Sequence, residues 1–139
     1  MKRIFLSFAR QDAQKVNKLI SLISSPEFEL DFSGAGQGVE ISSPEAETIK
    51  HQIGEKIVKC GITLCLISQD THADHWVDLE LSKSRNKGNR IIAMALKGTL
   101  DARLPRVIRE ENLKFYPWDP QRLKSLISED TAKLFNNSL

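Results

Sequence analysis

The sequence predicts a three-layer α/β domain built on a parallel β-sheet. Three observations carry that expectation. The chain opens on an apolar, β-rich run that reads as a strand buried on both faces. Amphipathic stretches with helical spacing follow each apolar run. The two kinds of segment then alternate to the end of the chain. The 139 residues suffice for one domain, 1–139, and leave no room for a second core.

The first strand is expected over Lys2–Phe8, where Ile4, Phe5, Leu6 and Phe8 are apolar. Asp12 is placed to cap the next helix, whose stripe is Val16, Leu19, Ile20 and Ile23; Ser24, Ser25 and Pro26 end it. A short second strand covers Phe28–Phe32, followed by the glycine-rich loop Ser33 to Gly38. Ser43 and Pro44 are expected to open a helix with Ile49, Ile53 and Ile57 on its buried seam. Ile62–Ser68 reads as the central third strand and Gln69–His75 as a polar loop. Trp76–Asn86 reads as a helix stopped by Lys87, Gly88 and Asn89. Arg90–Leu96 is the fourth strand and Leu113–Tyr116 a fifth, at the edge, with a short helix within Leu104–Glu110. A last helix starts at Asp119 and Pro120 with Leu123, Leu126 and Ile127 on one face, and residues 136–139 are expected to fray. The expected strand order is flavodoxin-like, 2-1-3-4-5.

Composition narrows the function. Net charge is +2, with 20 basic and 18 acidic residues, so nothing calls for nucleic acid or an anionic membrane as partner. Apolar runs fall far short of the ~20 residues of a membrane span. The stretch Ile4–Ala9 stops at Arg10, too short for a signal peptide. The two cysteines, Cys60 and Cys65, read as reduced core thiols of a cytoplasmic protein.

Ligands of open parallel sheets sit outside the C-terminal strand ends, near the switch in strand order. That edge gathers Phe8, Ala9 and Arg10, then Asp31, Phe32 and Ser33 with the glycine loop, then Ser68 to Trp76. The glycine loop has Gly-x-Gly-x-Gly spacing, which is not the dinucleotide fingerprint, and reads as a connector or as a lid. His72 and His75 beside Asp70 and Asp74 lack a second ligand cluster, so no metal is expected there; Asp74 fits a helix cap. Arg10 is placed either to clamp a phosphate or to lie exposed at a helix start. Trp76 and Glu80 share a helix face. They could stack on a ring and accept a hydroxyl hydrogen bond, or be a core indole and a surface carboxylate near Lys83.

Phe5-Leu6-Ser7-Phe8-Ala9-Arg10-Gln11-Asp12 resembles the opening of Toll/interleukin-1 receptor (TIR) domains. Trp76-Val77-Asp78-Leu79-Glu80-Leu81 followed by Lys87-Gly88-Asn89-Arg90-Ile91-Ile92 resembles the Trp-x-x-x-Glu helix and Gly-x-x-Ile-Ile strand of that family. The resemblance spans about residues 2–96 and is nearest the stand-alone bacterial TIR-like proteins of Thoeris anti-phage systems. It implies NAD+ as substrate with no further cofactor, release of nicotinamide, and an ADP-ribose-derived, cyclic product read by a downstream effector. It places the catalytic carboxylate at Glu80. It places substrate contacts at Phe8, Ala9, Arg10, Asp31, Ser33 and Trp76, and it allows self-association. The three-glycine loop, the Ile92-Ala93-Met94 strand end and Ala9 depart from the family pattern.

The chemistry is consistent with one acid. Cleaving the glycosidic bond of NAD+ develops an oxocarbenium-like ribose while a cationic base leaves unaided, so a single carboxylate on the ribose hydroxyls can stabilise the charge. A non-catalytic protein–protein module is the alternative. A phosphoacceptor receiver is set aside, because its acidic positions are filled by Ala9-Arg10 and Ser68-Gln69.

Overall fold

A computed structural model describes residues 2–32, 38–99 and 101–137, with side chains to Glu129. Five strands, β1 (Lys2–Phe8), β2 (Phe28–Phe32), β3 (Ile62–Ile67), β4 (Arg90–Ala95) and β5 (Phe115–Tyr116), form one sheet in the order β2-β1-β3-β4-β5. Every pairing is parallel. The expected three-layer, flavodoxin-like arrangement is the observed one. Parallel strands need crossovers, supplied by α1 (Ala13–Ile23), α2 (Ala46–Val58), α3 (His75–Lys87) and α4 (Arg106–Glu110); α5 (Pro120–Asn137) closes the chain.

The two sheet faces differ in chemistry. One carries Ile4, Leu6, Ile62, Leu64, Leu66, Ile92 and Met94, packed with Val16 and Ile23 of α1 and Leu123, Leu126 and Ile127 of α5. On the other, Phe5 packs with Ile53 and Ile57 of α2, and Cys65, Ile67 and Ala93 with Val77 and Leu81 of α3 and with α4. β3 is buried along its whole length, as a central strand must be. Beneath α3 the sheet also presents the buried hydroxyls of Ser7 and Thr63.

Several local expectations are corrected. Asp12 stands before α1 without a side-chain cap, because the chain leaves β1 through a 3-10 turn, Arg10–Asp12, and the carboxylate is used elsewhere. Ser43 does not cap α2: its hydroxyl donates to the Glu40 carbonyl at 2.7 Å, and the helix begins only at Ala46. β3 ends at Ile67 and β4 at Ala95, each one residue early. β5 is a two-residue edge rather than Leu113–Tyr116. α3 runs one residue further at each end than the expected Trp76–Asn86, and its C-cap is Gly88, whose φ of +82° is the left-handed conformation that glycine adopts without strain. The frayed end expected at 136–139 is not seen at Asn136 and Asn137, which are helical; residues 138 and 139 lie outside the described chain. Cys60 and Cys65 are both free and buried.

Candidate active site

Three segments meet at the C-terminal edge of the sheet, and one carboxylate ties two of them. Asp74 caps α3 as its sequence position suggested: Oδ1 accepts from the Trp76 and Val77 amides at 2.9 and 3.0 Å. Oδ2 accepts from the Arg10 amide at 3.2 Å, fixing the exit of β1 to the start of α3. The third segment follows β2. Its Val39 carbonyl accepts the Trp76 indole N–H at 3.0 Å. Between them lies an open cleft of about 670 Å³, lined by Arg10, Gln11, Val39, Glu40, Asp70 and Trp76 among others. Arg10 is the permanently cationic side chain on its wall, facing Glu40, Asp70 and Asp74.

Glu80 lies four residues, about 6 Å of helix rise, beyond Trp76 on the same face of α3. It is not the surface carboxylate that its nearness to Lys83 allowed. Only 6% of it is exposed, and it does not line the open cleft. Its Oε1 accepts from Ser7 Oγ at 2.7 Å, so the acid rests against the last residues of β1. Burial pushes its pKa from 4.5 to about 8; the Ser7 hydrogen bond opposes that rise and the negative Asp74 adds to it. At neutral pH the carboxyl therefore rests mostly protonated. Cys65, paired with Ser7 in the sheet, is held as a thiol by burial, and Glu80 and Asp74, where ionised, push the same way. One turn further along α3, Ser84 and Thr63 bond hydroxyl to hydroxyl at 2.6 Å. The inner face of α3 thus carries an indole, an acid and a hydroxyl at successive turns.

The structure gathers some of the expected site residues and disperses others. Arg10 and Trp76 line the cleft, with Glu80 behind them. Phe8 turns to the opposite face and packs on Phe32, ring centroids 6.1 Å apart. Ala9 is fully buried, and its carbonyl accepts the Asp12 amide at 2.8 Å. Asp31, in register with Phe5, lies 3.7 Å from the Lys56 ammonium of α2 rather than in the cleft. Strand alternation explains Phe8, which points to the face opposite Ser7. Ser33 and the loop residues 34–37 lie outside the described chain.

Sequence reasoning assigned no role to Ser7, although a lone hydroxyl inside an apolar strand was the available signal. It also missed the buried set at the β1 and β3 exits, where Ser68 Oγ donates to Asp12 and Thr71 Oγ1 accepts the Ser68 amide at 2.7 Å. Among the described residues, no group of three or more His, Cys, Asp or Glu side chains is arranged to hold a metal ion. No helix among them is long and apolar enough to cross a membrane.

A buried acid near a cleft at the ligand edge of a parallel sheet marks a candidate site on an α/β domain, and fold alone does not say what it binds. Sequence comparison is more specific. The family model described as Thoeris protein ThsB, TIR-like domain, matches residues 5–101, well over half the chain, and the chain belongs to that family. No curated protein matches it in sequence. In fold it is similar to a 2-deoxyribosyltransferase from Bacillus psychrosaccharolyticus, at 20% identity over 87% of this chain and 89% of that one, with a TM-score of 0.61. It is also similar to the Clostridium botulinum CMP N-glycosidase BcmB, at 18% identity over 92% and 99%, with a TM-score of 0.58. These findings correct the expectation of a Toll/interleukin-1 receptor domain proper. The family is TIR-like, and the two solved folds it resembles belong to a deoxyribosyltransferase and an N-glycosidase. The motifs around Ser7 and Trp76 lie inside the matched segment 5–101, so they pointed to the TIR-like Thoeris family and went too far only in implying a Toll/interleukin-1 receptor domain proper.

Proposed function

We propose that the protein cleaves the N-glycosidic bond of NAD+, releases nicotinamide, and forms an ADP-ribose-derived, cyclic nucleotide that a downstream effector reads in anti-phage defence. The observation that carries this reading is Glu80, a buried acid one turn beyond Trp76 on α3 and hydrogen-bonded to Ser7 at the end of β1. The Thoeris family membership and the glycosidic chemistry named for both fold neighbours support it.

In this reading Arg10 takes the diphosphate, and the Trp76 ring stacks on the departing base. Glu80, ionised, accepts the ribose hydroxyls and stabilises the positive charge that develops on the sugar. Water gives ADP-ribose as the acceptor of the ribosyl cation; an internal nucleophile gives the cyclic product. Glu80 does not line the open cleft, so this reading needs the cleft to open toward it when substrate binds. The diphosphate would meet the acidic side chains of Glu40 and Asp70 on the same wall, so Arg10 carries more than its usual share of phosphate recognition.

The test is chromatographic detection of nicotinamide and its co-product from NAD+, with wild type and Glu80→Gln, in extracts of phage-infected cells. Release by wild type alone supports the proposal. The same release by both proteins removes Glu80 from the chemistry, and none from either favours an assembly module.

A further inference from the structure

Resting on the proposed role of Glu80, we propose that Ser7 is the positioning residue of this site: its hydroxyl fixes one carboxylate oxygen of Glu80 and leaves the other for the ribose. Ser7 is fully buried in a strand whose other interior residues, Ile4, Phe5 and Leu6, are apolar. A buried hydroxyl needs a partner, and this one donates to Glu80 Oε1 at 2.7 Å.

The pair is not needed to fasten α3 to the sheet. One turn on, Thr63 and Ser84 do that with two neutral hydroxyls 2.6 Å apart, and Val77 and Leu81 do it with apolar surface. A buried acid is a poor fastener, since an apolar side chain of similar size would hold the helix at least as well. The groups shown to act on Glu80 supply no counter-charge: Ser7 of β1 donates to it, and Asp74, the cap of α3, adds a negative field. Cys65 of β3, in register with Ser7, is a thiol. Lys83, three residues on in α3, carries its ammonium toward Gly54 of α2. On this face of the sheet α2 and α4 bury the apolar Ile53, Ile57, Val107 and Ile108. Among the described residues no cation forms an ion pair with Glu80, which leaves the Ser7 hydroxyl as the group that favours its anion.

The test titrates the Glu80 carboxyl carbon by NMR in the full chain, assigned by loss of the signal in Glu80→Gln, and compares wild type, Ser7→Ala and Ser7→Thr. Ser7→Ala is expected to raise the Glu80 midpoint by about one pH unit. Its kcat/KM for NAD+ is then expected to fall about tenfold at pH 7, with the gap closing toward alkaline pH. Ser7→Thr, which keeps the hydroxyl, is expected to follow wild type in both. An unmoved midpoint in Ser7→Ala overturns the proposal, as does a loss of kcat/KM that is uniform across pH, the mark of a merely structural role. A moved midpoint with no nicotinamide release from any of the three proteins supports the coupling of Ser7 to Glu80 and overturns the NAD+ reading instead.

Discussion

Replacing Glu80 by glutamine is expected to stabilise the protein increasingly as pH rises. The amide has the shape of the acid, and its carbonyl can still accept from Ser7 Oγ, so packing and hydrogen bonding are retained. What changes is the titration. Glu80 is an acid whose folded pKa is raised, to about 8 from 4.5, so the folded chain holds its proton more tightly than the unfolded one. The stability this contributes is present in full below 4.5 and is lost as pH climbs toward 8. At 1.36 kcal/mol per pH unit, with rounding at both ends, wild type loses about 3 kcal/mol between pH 5 and pH 8 from this group alone. Glutamine loses none of it. Urea unfolding of both proteins at the two pH values isolates the effect, because every other titrating group cancels in the double difference. The expected double difference is about 3 kcal/mol in favour of the variant, roughly ten degrees in Tm at this chain length. Parallel pH curves would refute the reasoning, since they would mean that Glu80 ionises in the folded chain as freely as in the unfolded one.

Substitutions at two further positions probe the framework of the site. Asp74→Ala removes the α3 cap and the tie to Arg10, so it is expected to lose about 1–2 kcal/mol in urea unfolding and to lower the Glu80 midpoint; Asp74→Asn keeps the cap and is expected to lower only the midpoint. Trp76→Phe keeps a ring against Phe5 and Ile53 but deletes the N–H that holds Val39, so it is expected to lose about 1–2 kcal/mol and to speed amide exchange at residues 39–41.

The sheet was legible because its strands are short apolar runs separated by helical stripes, and that pattern fixes strand order through chirality and crossover rules. Trp76 and Glu80 were legible as a pair because four residues make one helical turn. The side of α3 that faces the sheet was not. Its buried face carries Glu80 and Ser84 among Val77 and Leu81, so polarity gives no stripe to read. Ser7 escaped for the complementary reason: its meaning lies in a partner 73 residues away. Asp31 was expected at the cleft because it sits near a strand's C-terminal end, but its place on β2 directs it to Lys56 of α2. Asp12 and Ser43 are good caps by residue type, yet each found another partner when the chain turned before the helix began.

The most direct test of the account is the rate of nicotinamide release from NAD+ by wild type and Glu80→Gln under identical conditions, with both proteins shown to be folded. Measurable release by wild type is expected, with a loss of about 100-fold or more in the variant, the scale on which a group stabilising transition-state charge acts. Equal rates from the two proteins would contradict it, because the carboxylate would then contribute nothing to breaking the bond.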